Sequence, residues 1–444
     1  MPFRRMLPIA LLLAVVAQPA VVYAKDGGWG RTEAQKKTDA AAPDASSKPQ
    51  HPTETAPAEG WNHRGGEIEY QVGKRTKHHI DDAYTAIREE KYKAARQALS
   101  DLVLPALNPL ERSLVYRADA YISNGESDAK GAVGYLEKAI AENALPERDL
   151  QDMRFQIAQL ELSLEDWQAV VENLRLWFDM VDSPNSTAYY LLAIAYYQMN
   201  DYDSALGPAL QAVQRSKEPQ ESWLQLLLAI RLVRKDYTKA VPIIEQLVRR
   251  FPKKAYWIQL STVNGALGKF DEALVPLQLA YEQGLLTTDG ELRRLAQLML
   301  YLDLPYRAAQ VLSKGLADGI VEKTPDVYEQ LSNSWIAARE FDRAVEPLEI
   351  AARLSTNGDL YVRLAQVEIQ REKWSKAIDA LEQALQKGDL TSPGDAHLLM
   401  GIARYSRQQP QQALAAFRRA REFDSTRSEA DTWLTHIERE LQSS

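Results

Sequence analysis

The 444-residue chain has no cysteine. That one absence excludes disulfides, thiolate zinc sites, a thiol nucleophile and a lipidated N-terminal cysteine. It does not by itself assign a compartment. Histidine is scarce, and His51, His63, His78, His79, His397 and His436 are the whole set. His78 and His79 are adjacent, and neighbours on a helix point about 100° apart, which is too divergent for joint chelation. H-E-x-x-H, G-x-S-x-G and the phosphate-cradling G-x-x-x-x-G-K are also missing. Carboxylate pairs such as Asp81-Asp82 and Glu89-Glu90 read as solvated helix faces. The expectation is a non-enzyme with no cofactor and no metal. Net charge is -8, and the repeats described below contain no basic cluster, so nucleic acid is not expected as a partner.

Long hydrophobic runs are absent with one exception. Arg4 and Arg5 precede an apolar stretch from Met6 to Ala17 interrupted only by Pro8, and Val22-Tyr23-Ala24 fits a small-x-small cleavage pattern. Residues 1–24 therefore read as a signal peptide cleaved after Ala24. The other reading is an uncleaved anchor, but Pro8, Gln18 and Pro19 leave the run short of the roughly 20 residues a spanning helix needs. No membrane span is expected after cleavage. Residues 25–76 are rich in Ala, Pro, Ser, Thr, Gly and charge, a composition too poor in large apolar groups to offset ordering entropy, and read as a disordered linker. Within it, Glu67-Ile68-Glu69-Tyr70-Gln71-Val72 alternates polar and apolar. It reads as a strand that could pair with a partner's sheet edge, or, preferably, as a chance alternation in the linker or a segment docked on the first repeat.

What the chain does have is a recurring small or apolar residue. It falls at Ala95, Ala132, Val170, Ala205, Ala240, Ala273, Ala308, Ala344, Ala377 and Ala413, with gaps of 37, 38, 35, 35, 33, 35, 36, 33 and 36 residues. A period in this range means a helical solenoid whose units cannot bury a core alone. Each unit reads as helix, tight turn, helix. In the fourth, Tyr189, Leu192, Ala193 and Tyr196 share one helical face, Asn200-Asp201 breaks the helix, and Tyr202, Ala205, Ala209 and Ala212 mark the next. Small residues belong where the two helices cross, with aromatics around them. The tail reads as a cap: Ala430, Trp433, Leu434, Ile437 and Leu441 share one face and charges occupy the other.

The same places recur as Trp257, Leu260, Ser261, Gly268, Phe270, Ala273, Leu277 and Ala280, and again as Tyr328, Leu331, Ser332, Trp335, Phe341, Ala344, Leu348 and Ala351. This pattern resembles the tetratricopeptide repeat, with its W-x2-L-G, Y, A-x3-F-x2-A and P positions. The fold expected is all-α: a right-handed α-solenoid of about ten such units over residues 77–425, closed by a capping helix and tail at 426–444. The first three units depart most from the pattern. Val170 replaces the usual Ala, two extra residues fall near Gly125-Glu126-Ser127, and Pro305 and Pro410 replace the turn aromatic in units seven and ten.

By the resemblance, positions 2, 5, 9 and 12 of each unit face a groove. Position 9 gives Gln159, Gln297, Asn333 and Gln366; position 5 includes Arg117, Tyr190, Arg293 and Glu329; position 12 includes Tyr197 and Tyr405. Carboxamides donate and accept at once, which suits the backbone of an extended peptide. The candidate binding residues are therefore Gln159, Tyr190, Tyr197, Arg293, Gln297, Asn333, Gln366 and Tyr405. The family's carboxylate clamp is not reproduced, because Glu329 stands where the clamp wants a cation.

Three stretches have a narrower likeness: Arg250-Phe251-Pro252-Lys253-Lys254-Ala255-Tyr256-Trp257, Leu279-Ala280-Tyr281-Glu282-Gln283-Gly284-Leu285-Leu286 and Leu304-Pro305-Tyr306-Arg307-Ala308-Ala309. With the leader and the Lys74-Arg75-Thr76-Lys77 lead-in, they resemble periplasmic tetratricopeptide proteins of gammaproteobacteria associated with TonB-ExbB-ExbD energy-transduction systems. The resemblance implies a periplasmic scaffold accessory to outer-membrane nutrient uptake, with TonB, ExbB or ExbD as partners. A scaffold or chaperone for envelope assembly, or a subunit that docks a cell-wall enzyme, is the alternative.

Overall fold

The computed structural model describes residues 70–443. The expected signal peptide, the linker up to residue 69, and Glu67 to Glu69 of the alternating segment lie outside the described residues. Among the described residues there are 21 α-helices, one 3-10 turn at Leu104–Ala106 and no strand. Repeat 1 holds α1 (Lys74–Arg88) and α2 (Tyr92–Ser100), repeat 2 α3 (Pro109–Gly125) and α4 (Ala129–Ala141), repeat 3 α5 (Glu147–Ser163) and α6 (Trp167–Met180). Repeat 4 holds α7 (Ser186–Gln198) and α8 (Tyr202–Gln214), and repeat 5 α9 (Glu221–Val233) and α10 (Tyr237–Arg250). Then come α11 (Lys254–Ala266) and α12 (Phe270–Glu282), α13 (Asp289–Tyr301) and α14 (Pro305–Ala317), and α15 (Pro325–Ala337) and α16 (Phe341–Leu354). Repeats 9 and 10 are α17 (Asp359–Gln370) with α18 (Trp374–Lys387), and α19 (Pro393–Ser406) with α20 (Pro410–Ala420); α21 (Arg427–Ser443) follows.

The described residues divide into two compact blocks, one ending at Asp201 and the other beginning at Tyr202, with the division in the turn of repeat 4. The array begins three residues before the expected Lys77, because α1 starts at Lys74. Tyr70 to Val72 form no strand; the Gln71 carbonyl accepts from Asn108 Nδ2 at 2.9 Å, so this part of the lead-in rests on repeat 2.

All ten recurring residues sit in the first half of a second helix and are at most 2% exposed. Repeat 8 shows why they are small. Ser332 of α15 donates its hydroxyl to the Ala344 carbonyl of α16 at 3.1 Å, a contact that bulk at either residue would prevent. In repeat 10 the same place is Gly401, where an added Cβ would lie 2.5 Å from the Phe417 ring. Ser113 in repeat 2 repeats the device, donating to the Ala139 carbonyl of α4 at 3.1 Å. Cores are local. One joins Leu274 through Leu295 and Leu312 to Trp335 and Ala344, spanning repeats 6 to 8, and another joins Val345 through Leu381 to Met400 and Ala416. The extra length in repeats 2 and 3 comes from α3 and α5, which run 17 residues where most first helices run 13. Pro305 and Pro410 open α14 and α20, where a missing N–H costs nothing. The cap forms, with Trp433 of α21 stacked on Phe417 at 5.4 Å and Ala430, Leu434 and Ile437 buried, but Leu441, expected on the same face, lies past the last repeat and is 40% exposed.

Each turn within a repeat carries one left-handed residue. Glu90, Ser127, Glu165, Asn200, Lys235, Asp303, Arg339, Glu372 and Gln408 hold φ of 57° to 68°, and Gly268 holds 73°. Each lies five residues before the recurring buried residue. The next residue's N–H then reaches back to cap the first helix, as in Glu340 to the Trp335 carbonyl at 2.9 Å and Lys373 to the Glu368 carbonyl at 2.8 Å. Only one of the ten is glycine, so nine turns carry a Cβ in a region that costs L-residues roughly 1–2 kcal/mol. Exchanging exposed Arg339 or Glu372 for Gly is expected to stabilise the chain by about 0.5–1 kcal/mol each, after the flexibility gained by the unfolded chain is set against the relief. Gly268→Ala is expected to destabilise it by about 1 kcal/mol. Urea denaturation of the three variants checks both signs.

Candidate peptide-binding face

First helices of successive repeats touch one another: α1 with α3, α5 with α7, α17 with α19. Polar bridges follow the same line. Arg117 of α3 donates from Nε to the Tyr84 hydroxyl of α1 at 3.0 Å, and Gln156 of α5 donates to the Tyr121 hydroxyl of α3 at 3.3 Å. In the second block Arg294 of α13 donates to Thr262 of α11 at 3.0 Å, and Arg363 of α17 lies 3.6 Å from Glu329 of α15. The first helices therefore form the inner side of each stack.

The sequence-predicted residues are distributed along this side. Gln159 (α5), Tyr190 and Tyr197 (α7) belong to the first block, and the others to the second. Tyr190 is buried, 8% exposed, and Tyr197 half-buried. Arg293 and Gln297 lie on α13, Asn333 on α15 and Gln366 on α17, so these four occupy three successive first helices. Gln297 and Gln366 are exposed; Arg293 and Asn333 are half-buried. Gln366 helps line a hollow of about 340 Å³ with Asp359, Val362, Arg363, Thr391, Ser392 and Asp395. Tyr405 is engaged elsewhere: its hydroxyl donates to Glu440 of the cap at 2.7 Å, and that bond, with burial, raises its pKa.

The first helices of the second block carry buried polar atoms that no protein group satisfies. They include Trp257 Nε1, Gln259 Oε1, Arg293 Nε, Gln330 Oε1 and Asn333 Oδ1, all on α11, α13 and α15. The face is framed by firm ion pairs. Lys254 Nζ is 2.7 Å from Glu291, which also accepts from the Thr287 and Thr288 N–H groups. Burial pushes the Glu291 carboxyl up, but these partners outweigh it and hold it below the usual carboxylate value. At the edge of repeat 5, Glu221 accepts from Lys253 at 2.7 Å and from the Tyr256 hydroxyl. Burial, and then the Glu221 bond, push the Tyr256 phenol well above its ordinary value.

A second set of polar residues was not found from the sequence. The position that the repeat reserves for Tyr on the first helix holds Ser123, Glu161, Arg231, Asn264 and Glu368, each at most 7% exposed. A buried polar group without a partner is costly, and of these only the Ser123 hydroxyl is left without one. Asn264 Nδ2 donates to the Glu272 carbonyl at 3.2 Å, the carbonyl that Pro276, lacking an N–H, leaves unpaired in α12. Arg231 pairs with Asp236 at 2.9 Å. Glu368, 1% exposed, is held by Arg371 at 2.7 Å, and Arg371 Nε reaches Asp342 of α16 at 2.7 Å. The signal was present as charge at an aromatic position of the repeat. Arg371→Leu is expected to cost about 3 kcal/mol by stranding the Glu368 carboxylate, and adding Glu368→Leu is expected to recover most of it. Chemical denaturation of the single and double variants reads this out.

Among the described residues, no group of three or more His, Asp or Glu side chains could hold a metal, and no helix is long and apolar enough to cross a membrane. His79 Nδ1 is instead bonded to the Ala98 carbonyl at 2.9 Å, and His78 lies 3.4 Å from Asp82.

Tetratricopeptide-repeat family models match residues 187–216 and 362–428. No curated relative matches the sequence. Among solved structures, the chain is similar to a tetratricopeptide repeat protein from Parabacteroides merdae ATCC 43184, with 15% identity over 59% of this chain and 99% of that one and a TM-score of 0.35. It is similar to the Cut9–Hcn1 hetero-tetramer of the APC/C, with 13% identity over 82% and 96% and a TM-score of 0.32. It is also similar to YrrB, described as a TPR protein with an unusual peptide-binding site, with 12% identity over 44% and 97% and a TM-score of 0.34. The chain carries tetratricopeptide repeats, stacked in each block as an α-solenoid.

Proposed function

We propose that the protein is an exported, non-enzymatic interaction scaffold whose second block binds an extended polypeptide along the first-helix face of repeats 6 to 9. The observation that carries this reading is that Arg293 Nε of α13 and Asn333 Oδ1 of α15, at groove positions of successive repeats, have no protein partner. An extended chain offers alternating N–H and C=O groups, and a small rotation of Asn333 turns its unpaired oxygen toward a ligand N–H. Each bond so formed recovers part of the roughly 1–3 kcal/mol that an unpaired buried polar atom costs. The exposed Gln297 and Gln366 flank these groups. Main-chain recognition needs no free carboxylate, in keeping with Glu329 at the clamp's cationic place.

The finer reading is a periplasmic accessory of a TonB-type system. Its support is the leader sequence and the likeness of the three stretches at 250–257, 279–286 and 304–309 to periplasmic proteins of such systems. Crosslinking in cells, capture through a C-terminal tag and mass spectrometry of the bound proteins test it. Recovery of TonB, ExbB or ExbD is the expected result; recovery of secretion or cell-wall proteins without them overturns the TonB assignment. For the binding face, replacing Gln297, Asn333 and Gln366 together by Ala is expected to weaken the captured partner's binding at least tenfold. Helical circular dichroism and melting should stay nearly unchanged, since the three lie on the inner face outside the cores. Unaltered affinity would exclude this stretch.

A further inference from the structure

Repeat 3 contains a buried carboxylate with no cation on it. Glu161 of α5 is 5% exposed, and both its oxygens accept from Asn173 Nδ2 of α6, at 2.9 and 3.0 Å. The nearest cation, Arg154, is spent one step away: its Nη1 donates to Asn173 Oδ1 at 2.9 Å. The three other charged groups at this register position are handled differently, Glu368 by Arg371, Arg231 by Asp236 and Arg404 by Glu382. The remaining charges around Glu161 are unfavourable to an anion. Asp166 in the turn caps α6 through the Ala169 N–H at 3.2 Å, and Glu137 approaches from α4. On α6, Glu172, Arg175 and Asp179 are exposed, as are Lys130, Glu137 and Lys138 on α4, and α7 carries no charged side chain.

We propose that Glu161 is a proton-operated latch of the third repeat, holding α5 against α6 when protonated and loosening that crossing when ionised. Protonated, the carboxyl buries no charge and can still hydrogen-bond Asn173, which offers both a donor and an acceptor. Ionised, it is an anion in a core built from Ala158, Val170, Leu174 and Trp177, with a single amide group to stabilise it. Burial drives its carboxyl up to about 7; the Asn173 bonds pull the other way, Asp166 and Glu137 add to the rise, and Arg154 opposes it. The value is raised above that of the unfolded chain, so the folded form holds the extra proton. The stability this brings is complete below about pH 4.5 and is lost as pH rises through about 7. Because Gln159 and Gln156 lie on the same helix, and Gln156 reaches Tyr121 of repeat 2, the latch also sets how the inner face of repeats 2 and 3 is held.

The test compares the full chain with Glu161→Gln, which keeps the shape and removes the proton. The two are expected to melt together at pH 5, with the variant higher by about 3 °C at pH 8. Amide exchange on the unaltered chain gives a readout that needs no variant. After correction for intrinsic rates, α5 and α6 should open about tenfold more often at pH 8 than at pH 5.5, while α15 and α16 stay constant. Melting curves that remain a fixed distance apart across this range overturn the latch. So does exchange in α5 and α6 that follows α15 and α16.

Discussion

Within each block, everything depends on how closely two helices can approach at one crossing in each repeat that the block holds whole. A second helix can lie on the first only where the side chains between them are nearly absent, which is why the ten recurring residues are Ala in nine cases and Val in one. That closeness brings the Ser332 hydroxyl onto a carbonyl of the neighbouring helix and packs Phe417 over a glycine. It also fixes the turn. With the helices this near, only a single residue in left-handed conformation closes the chain between them, and its position is locked five residues ahead of the crossing. The crossing, the turn and the cap on the first helix are three results of one steric requirement.

Because each repeat meets that requirement locally, the architecture could be read in the sequence. The spacing of Ala95 to Ala413 located all ten helix pairs, and the Trp433–Ile437 face located the cap. Two features were less legible. The longer α3 and α5 blurred the register before Val170, since an extra turn changes the period without changing the apolar face. The left-handed turns were hidden because glycine, the residue that announces them, appears in only one of ten.

The placement of the candidate residues was legible in part. Gln297, Asn333 and Gln366 fall on consecutive inner helices, as their shared register position required. Tyr405, at the twelfth position of its repeat, is held by the cap instead, because the last repeat has another helix where the others have another repeat. Tyr190 is covered because the helix bearing it is apolar on nearly every side. The buried polar residues in the place of the repeat's Tyr were not foreseen. Period and apolarity say where a core lies, but not that a carboxylate or a guanidinium will be admitted to it.

Those admitted residues have a collective consequence. A solenoid of identical modules would share one free energy per module, and its order of melting would be set by the ends alone. Here each module has its own internal chemistry: an amide on an orphaned carbonyl at Asn264, an ion pair at Glu368, a lone acid at Glu161. The array is thus a series of links of unequal strength, each answering to a different condition of the surrounding medium. Acidity acts on one link and salt on another, so the chain can yield at a chosen place along its length while its neighbours keep their form.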